Sequence, residues 1–166
     1  VIKLHFKNRS VLVKHHIDSF DDFMDKKVGQ IVKQFNPLSI FNNYNPETNT
    51  YENEIKINFG DVYYSKPLIH ENDGSTKVMT PYSARMRNMT YSAPISVDFS
   101  ATIIKDPQGE ATVIDTKNIS KVNIGKIPIM VKSKHCVLNS DNTYKYKSIQ
   151  NEEECKCDYG AYFIVN

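Results

Sequence analysis

The chain contains no tryptophan, only three cysteines and no long uninterrupted run of apolar residues among its 166 residues. Three unevenly placed cysteines are too few for a disulfide scaffold, so they indicate a reducing compartment inside the cell. No window approaches the ~20 consecutive apolar residues of a membrane span, and the N-terminal sequence VIKLHFKNRS lacks the apolar core of a signal peptide. The sequence therefore predicts neither a membrane-bound nor a secreted protein.

The chain also lacks a large excess of positive or negative charge. The 21 basic and 19 acidic residues leave a formal net charge of +2, with 40% of the chain hydrophobic. A field this weak does not make the whole chain a nucleic-acid binder, so any such contact must be local. The length suits one domain with a real core. We expect a single soluble domain over residues 1–166.

Catalytic motifs are missing as well. The sequence has no glycine-rich phosphate loop, no nucleophile signature and no closely spaced acidic triad that would hold Mg²⁺. Asp21, Asp22 and Asp25 come nearest to a carboxylate cluster, but they lie beside the apolar stripe of a predicted helix. We interpret them as a solvated helix face and expect no catalytic residue and no cofactor in this chain.

The clearest periodic signal is an apolar stripe near the N-terminus. Its members recur at steps of four and three, which places them on one helical face: Val13, Ile17, Phe20, Met24, Val28, Ile31 and Phe35. Ser10 can cap the helix, and Asn36-Pro37 should end it. The stripe predicts one long amphipathic helix, bent at Gly29. Packing on the core is favoured over a coiled-coil partner, because the stripe lasts only about three heptads.

The remaining chain alternates short strand-like and polar segments. Residues 40–53 and 70–79 are polar enough to predict two mobile loops. Strand predictions cover Glu54–Phe59 pairing with Val62–Tyr64 across Gly60-Asp61, a hairpin of Pro94–Lys105 with Ala111–Asp115, and Ile119–Val131 as a bulged or edge strand. Cys136–Leu138 and Ala161–Val165 complete the strands, with a helical turn at Ser148–Glu154. The pattern predicts an α+β fold, with the long helix packed on a mostly antiparallel sheet.

The central stretch, Thr80 to Phe99, combines three local signals. Thr80-Pro81 is a helix start, with a capping hydroxyl before a proline at the first helical position. The short helix should carry Arg85 and Arg87, with Met86 and Met89 packed inward. From Pro94 onward apolar and polar residues alternate, so a strand should follow.

This stretch carries a family resemblance. RMRNMTYSAPISVDF, ending at Phe99, resembles the RNLTYSAPL-x-VD stretch of the second-largest subunit of multi-subunit DNA-directed RNA polymerases, relatives of the bacterial β subunit. Three more blocks resemble the same family in the same order: LVKHHIDSFDDFM from Leu12, IGKIPIMVKSKHCVLN from Ile124, and DYGAYFIVN from Asp158. The last block departs from the family's Asp-Pro-Gly-Gly-Tyr-Phe at Tyr159 and Ala161, so its turn geometry can differ.

The resemblance implies a role inside a larger enzyme. It points to the protrusion domain, a protrusion-like α+β wall of the DNA cleft near the upstream DNA and the RNA–DNA hybrid. The implied partners are DNA, the hybrid and other polymerase subunits, including the largest subunit, which carries the magnesium-binding aspartates in this family. The implied role is non-catalytic retention of template and hybrid during transcription. A free-standing binding or scaffold domain that reuses the fold is the alternative, and continuation of the reading frame beyond Asn166 would decide between them.

Five basic residues are the candidates for nucleic-acid contact. Arg85 and Arg87 lie two apart on the short helix, and guanidinium groups suit bidentate phosphate contact without reading bases. Lys126, Lys132 and Lys134 could extend the patch. The alternative is that the arginines are structural, bonded to carbonyl groups or paired with Asp98.

A metal site is the last candidate. His135, Cys136, Cys155 and Cys157 have the ligand types of a structural zinc site, but neither cysteine pair has the two-residue gap that wraps one ion. We therefore expect no metal.

The source is inferred from composition. Loops rich in asparagine and lysine are typical of an AT-rich coding genome, which favours a large DNA virus, with a eukaryotic nuclear enzyme second. The expected location is intracellular, in a virion or cytoplasmic viral factory or in the nucleus. The chain, from Val1 to Asn166, is interpreted as a segment of a longer polypeptide.

Overall fold

The computed structural model describes residues 11–105, 112–139, 154–155 and 157–166. Its elements, in chain order, are α1 (Val11–Asp22), one π-helical turn (Phe23–Lys27), α2 (Val28–Gln34), β1 (Leu38–Asn45), β2 (Thr50–Tyr64), β3 (Leu68–His70), β4 (Thr76–Val78), α3 (Pro81–Met86), β5 (Ser92–Lys105) and β6 (Thr112–Pro128). A long helical segment is thus followed by antiparallel strand pairs. The predicted α+β class is confirmed.

The chain divides into two compact units. The first contains the described residues within Val1–Lys26, Tyr64–Ile95 and Gly125–Asn166, and the second contains those within Lys27–Tyr63 and Ser96–Ile124. All five candidate basic residues belong to the first unit. The core of that unit is built from buried side chains of several segments: Phe20, Met24, Ile69, Met79, Ala84, Tyr91, Ala93, Ile129, Met130 and Cys136.

The N-terminal helix forms where the apolar stripe predicted it. Phe20, Met24 and Val28 are buried, but Ile31 and Phe35 at the end of the stripe are exposed. The irregularity in the helical segment is the π-helical turn Phe23–Lys27, and Gly29 lies within the regular helix α2 that follows it. A π turn holds about one more residue than an α turn, so the 3.6-residue period does not continue through it. Ser10, the predicted cap, lies outside the described residues.

Asn36 ends the helical segment as predicted, and it also joins the helix end to β2. Its side-chain amide donates to the carbonyl of Phe59 at 2.6 Å, and its side-chain oxygen accepts the Phe59 N–H at 2.7 Å. The Asn36–Pro37 peptide bond is cis. Both partners lie in the second unit, where they fix the start of β1.

The predicted mobile loop over residues 40–53 is wrong, because these residues form a hairpin. β1 pairs antiparallel with β2 in a register that runs from Leu38 opposite Ile57 to Asn45 opposite Thr50. Only the residues between the two strands turn. The segment is rich in asparagine, which is depleted in strands, but it also contains Ile, Phe and Tyr residues, which favour strands.

Gly60 does not form the predicted turn, since β2 continues through it from Thr50 to Tyr64. A side chain at Gly60 would begin 3.3 Å from the carbonyl oxygen of Asp98, on the neighbouring strand β5. The glycine therefore permits close approach of two strands instead of a reversal. The second predicted loop, over residues 70–79, is also partly strand, because β3 and β4 pair on either side of its polar turn.

β5 and β6 are neighbours in a four-stranded sheet with the order β1-β2-β5-β6. The prediction that the segment from Ile119 lies at an edge is confirmed, although it is part of the longer strand β6. Lys121, with φ of +53°, interrupts the regular strand, and its N–H donates to the Asp98 carboxylate at 2.7 Å. The turn predicted at residues 106–109 lies outside the described residues.

The short helix α3 begins as the sequence predicted. Thr80 is extended (φ −97°, ψ 156°), its Oγ1 accepts the N–H of Ser83 at 3.1 Å, and Pro81 is the first helical residue. The chain leaves the helix at Asn88, with φ of +51°. The Thr80 cap fixes where α3 begins and therefore the positions of Arg85 and Arg87 at its other end.

Met86 does not pack inward as predicted, because 66% of it is exposed. The buried face of α3 is set by Pro81 and Ala84, and a residue two positions beyond Ala84 lies about 200° away around the helix. Met89, after the helix end, does pack against the core as expected.

Tyr91 lies at the centre of the first unit and is fully buried. Its N–H donates to the carbonyl of Ile164 and its carbonyl accepts the N–H of Ile129, both at 2.9 Å. Its hydroxyl accepts the N–H of Val137 at 3.2 Å and lies 3.5 Å from the Sγ of Cys136. Burial, aided by the nearby thiol, raises the pKa of the Tyr91 hydroxyl far above its ordinary value. Tyr91 therefore joins three distant segments.

The strands predicted at Cys136–Leu138 and Ala161–Val165 do not form. The first segment consists of turns, and the second makes isolated hydrogen bonds, such as that from the N–H of Val131 to the carbonyl of Tyr162 at 2.9 Å. Turn hydrogen bonds from the N–H of Cys136 to Ser133 and from the N–H of Asn139 to Cys136 occupy the first segment. In the second, left-handed backbone at Ala161, with φ of +65°, is incompatible with a regular strand. Of the helical turn predicted at residues 148–154, only Glu154 is described.

Candidate nucleic-acid interface

Arg85 makes two hydrogen bonds within the first unit. Its Nη2 lies 2.6 Å from Oε2 of Glu154, and its Nη1 lies 2.9 Å from the hydroxyl of Tyr162. The other carboxylate oxygen of Glu154 accepts the N–H of Tyr82 at 2.5 Å, so the same carboxylate also holds the first turn of α3. Burial opposes the charge of Arg85, but Glu154 and Tyr162 raise its pKa. The guanidinium is thus already paired in the folded chain.

The network around Arg85 extends to Lys132. The Tyr162 hydroxyl donates to a carboxylate oxygen of Asp158, and Nζ of Lys132 donates to the backbone carbonyl of the same residue. Burial and the Asp158 carboxylate raise the pKa of Tyr162 to about 12. Arg85 and Lys132 therefore belong to one network.

Arg87 forms a separate ion pair. Its Nη1 lies 3.1 Å from Oε2 and 3.0 Å from Oε1 of Glu71, in the turn between β3 and β4. Lys77 lies 3.7 Å from the same carboxylate. The hydrogen bond from Arg87 lowers the pKa of Glu71, against a smaller effect of burial. Pairing of the arginines with Asp98 is wrong, because Asp98 instead accepts hydrogen bonds from the Tyr63 hydroxyl and the Lys121 N–H.

Lys134 lies in a third network, on the turn that follows β6. Its Nζ is 2.6 Å from Oδ2 of Asp25, and its backbone N–H donates to Oδ1 of Asp21 at 3.0 Å. His135 Nε2 lies 3.2 Å from the other carboxylate oxygen of Asp25. Asp25 is exposed, as the interpretation of a solvated helix face predicts, whereas Asp21 is half-buried, and both carboxylates also bind the turn. Asp22 forms an ion pair with Lys26 at 2.5 Å.

Lys126 differs from the other four candidates. It is exposed near the end of β6. Within the part of the chain that the structure describes, no ion pair or hydrogen bond of its ammonium group is recorded. The five basic residues are thus divided among three internal networks and one exposed lysine. Four of them would have to share or leave a present partner to contact phosphate.

Two of the four candidate zinc ligands, His135 and Cys136, make other contacts. Cys136 is buried beneath Tyr91, and burial raises the pKa of its thiol, whereas Cys155 and Cys157 are exposed. His135 bonds to Asp25. Among the described residues there is no group of three or more His, Cys, Asp or Glu side chains that could hold a metal ion. The same residues contain no helix that is both long and apolar enough to cross a membrane.

The partners of these basic residues could not be found by spacing. Glu154, Glu71 and Asp25 are separated from their cations by 69, 16 and 109 residues. The one local signal in the sequence is that Asp21 and Asp25 are four residues apart in the predicted N-terminal helix, which places them on the same side of it.

The sequence has clear relatives among known proteins. The family model described as RNA polymerase beta subunit matches residues 11–166. The chain belongs to that family. DNA-directed RNA polymerase II subunit 2 of Arabidopsis thaliana is 38% identical over 170 aligned residues, covering 100% of this chain and 14% of the relative. DNA-directed RNA polymerase II subunit RPB2 of Schizosaccharomyces pombe is 35% identical, again covering 100% of this chain and 14% of the relative.

An archaeal relative shows the same relationship. DNA-directed RNA polymerase subunit Rpo2N of Methanococcus vannielii is 35% identical over 100% of this chain and 30% of its own length. The chain therefore spans a third or less of each of these relatives. The resemblance stated from four sequence blocks is confirmed. These three relatives are cellular and lend no support to a viral source.

Proposed function

We propose that the chain is a non-catalytic segment of the second-largest subunit of a DNA-directed RNA polymerase, a nucleotidyltransferase complex. The supporting observation is the family match across residues 11–166, together with relatives that are DNA-directed RNA polymerase subunits. The proposed partners are the other subunits, including the largest one, with Mg²⁺ held elsewhere in the complex. The proposed location is intracellular, and nuclear if the source is a eukaryotic cell.

We further propose that the segment is protrusion-like and forms part of one wall of the DNA cleft. There it would help to retain the template and the RNA–DNA hybrid through phosphate contacts. The support is that the five basic candidates lie in one unit. Four of them lie on two short segments: Arg85 on α3 with Arg87 at its C-cap, and Lys132 and Lys134 on the turn after β6. Because the net charge is only +2, such contacts must be local.

The internal ion pairs rank the five candidates. Lys126 is exposed and has no recorded ion pair among the described residues, so a phosphate could approach it without displacing a carboxylate. Arg85 and Arg87 would each have to share a guanidinium with Glu154 or Glu71, and Lys134 would have to leave Asp25. We therefore expect Lys126 to contribute most directly, and Arg85 to contribute both to the fold and to phosphate contact.

The salt dependence of template binding tests this proposal in the assembled enzyme. Loss of one phosphate contact releases one fewer set of counterions, so Lys126→Ala should weaken binding and reduce the log–log salt slope by about one unit, without changing sequence preference. Lys117→Ala is the matched control, since it removes an exposed lysine from the same strand. Binding isotherms at several salt concentrations give the slopes.

The same measurement distinguishes a structural role of Arg85 from a phosphate contact. If Arg85→Ala lowers the melting temperature but leaves the slope unchanged, Arg85 acts only in the fold. If alanine variants of each of the five basic candidates leave the template affinity and the salt slope unchanged, the proposed phosphate contacts are overturned. A free-standing scaffold is the alternative function, and a reading frame that continues with polymerase-like sequence would exclude it.

A further inference from the structure

Three aromatic side chains cluster at the surface of the β1–β2 hairpin. The ring centroids of Phe41 and Tyr51 are 5.3 Å apart, and those of Tyr44 and Tyr51 are 5.2 Å apart. The three residues are between 36% and 53% exposed. The hydroxyl of Tyr44 is bonded to the side chain of Asn49, which holds its ring in place. We call Phe41, Tyr44 and Tyr51 the aromatic cluster.

The hairpin around this cluster carries charge of one sign. Residues 38–54 contain three glutamates and no lysine, arginine or histidine. Glu54 is buried, with an ion pair to Lys56 at 3.5 Å. Glu47 and Glu52 are exposed, and no ion pair of either is recorded among the described residues. The aromatic cluster therefore lies on a hairpin that is locally anionic.

Local charge decides which partner fits. Aromatic rings alone would suit the bases of a single strand, but such sites combine stacking with a positively charged groove for the phosphates. A hairpin with two exposed glutamates repels phosphates. The same rings attract cations through their negative faces, arginine more often than lysine, and an adjacent carboxylate adds to that attraction. Charge complementarity thus favours a cationic protein segment.

We propose that the aromatic cluster, with Glu47 and Glu52, is a docking surface for an arginine-bearing segment of a partner protein. Guanidinium groups would lie on the exposed rings. Glu52 follows Tyr51 in β2, and strand alternation places its side chain on the other face, so the carboxylates would attract the segment by their charge and not by direct contact at the rings. β1 is an edge strand of its sheet, so within the described residues no further strand covers the hairpin on that side. This surface belongs to the second unit and is independent of the phosphate contacts proposed for the first.

The proposal is tested with a labelled peptide of alternating arginine and glycine, titrated against the 166-residue chain by fluorescence anisotropy. The expected result is saturable binding that weakens about two- to fivefold for each of Tyr44→Ala and Tyr51→Ala. Tyr44→Leu, which keeps apolar area but removes the ring, should bind as weakly as Tyr44→Ala. Glu52→Gln should weaken binding at low salt and lose its effect at high salt.

Matched controls exclude general effects. Ile114→Ala and Asp115→Asn remove an exposed apolar side chain and an exposed carboxylate from β6, and neither should change the affinity. Unchanged circular dichroism and melting temperature show that each variant is folded.

Four outcomes would overturn the proposal. The first is equal binding of a peptide of alternating glutamate and glycine. The second is tighter binding of an oligothymidylate, which would make the cluster a base-stacking site. The third is self-association of the chain in sedimentation that Tyr51→Ala abolishes, with no peptide binding. The fourth is an arginine-peptide affinity that none of the cluster variants changes.

Discussion

Arg85 and Glu154 form an ion pair, with Nη2 and Oε2 separated by 2.6 Å, that joins helix α3 to a residue 69 positions later in the chain. Glu154 is largely buried, with 10% of its side chain exposed, whereas the arginine is 37% exposed. The two ends of the pair therefore have unequal access to water. A buried carboxylate depends on its partner more than an exposed guanidinium does.

Arg85→Ala should lower the free energy of unfolding by about 1–3 kcal/mol, because among the described residues it leaves the Tyr82 N–H as the remaining hydrogen-bond partner of the Glu154 carboxylate. Urea unfolding of the isolated chain measures this. Lys126→Ala is the control and should change stability by no more than about 0.5 kcal/mol, as expected for an exposed side chain. Equal stability of the Arg85→Ala chain and the unaltered one would mean that water replaces the guanidinium at no cost.

Gly160→Ala should destabilise the fold strongly. Gly160 has φ of +75°, and an added Cβ would lie 2.6 Å from the carbonyl oxygen of Val131 and 2.8 Å from Cβ of Lys132. Neither backbone nor a Cβ can move away easily, so a loss of several kcal/mol is expected. Thermal unfolding followed by circular dichroism tests it. An unchanged melting temperature would contradict the close approach of these two segments.

Ala161→Gly should have the opposite effect. Ala161 has φ of +65°, where a Cβ costs about 1–2 kcal/mol. The greater freedom of glycine in the unfolded state offsets about half of the gain. The net expectation is a stabilisation of up to about 1 kcal/mol in urea unfolding. A destabilised variant would show that packing of the methyl group outweighs the backbone strain.

Glu71 should titrate below its ordinary pKa of 4.5, because the charged form accepts a hydrogen bond from Arg87. Arg87→Ala should raise that pKa, whereas Arg85→Ala should leave it unchanged, since Arg85 bonds to Glu154. NMR titration of the Glu71 carboxyl group measures both. A lowered pKa stabilises the fold above the ordinary value, and this stabilisation is lost as the pH falls through the lowered value. If the pKa of Glu71 is the same in the Arg87→Ala variant, the pairing of Glu71 with Arg87 is refuted.

Met24→Ala and Ile31→Ala should differ sharply, although both residues belong to the same predicted stripe. Met24 is 1% exposed in the core, so its truncation should cost about 2–5 kcal/mol. Ile31 is exposed, and its truncation should cost no more than about 0.5 kcal/mol. Parallel urea unfolding curves give both values. Similar losses would indicate that Ile31 is buried as the periodicity alone suggested.

The sequence predicted those features that depend on neighbouring residues. Local hydrogen bonding explains why Thr80 caps α3, and local backbone restriction explains why the N-terminal helix ends at Asn36-Pro37. The spacing of apolar side chains explains the buried part of the stripe. The π-helical turn Phe23–Lys27 could not be found in this way. An α turn and a π turn accept the same residues, and tertiary contacts decide between them, such as the bond from the Tyr64 hydroxyl to the Met24 carbonyl at 2.8 Å.

The errors have a common physical origin in strand pairing. The composition of residues 40–53 predicts a loop, yet pairing with a second strand satisfies the backbone hydrogen bonds whatever the side chains are. Glycine favours turns, so Gly60 predicts one, but the close approach of Asp98 explains the glycine better. The ion pairs of the candidate site could not be predicted for the same reason. The basic residues were identified from sequence, but their carboxylate partners lie in segments that only the fold brings near.

The position of Tyr91 limits how the chain can be divided into fragments. Its backbone bonds to Ile129 and Ile164, and its hydroxyl accepts the N–H of Val137, so three parts of the sequence meet at a single residue. A fragment that ended before Ile129 would keep the ring but lose all three partners, leaving a phenol and two peptide groups without their bonds in an apolar core. Proteolytic nicking between these segments should therefore leave the pieces associated, whereas expression of either piece alone should yield an unfolded polypeptide.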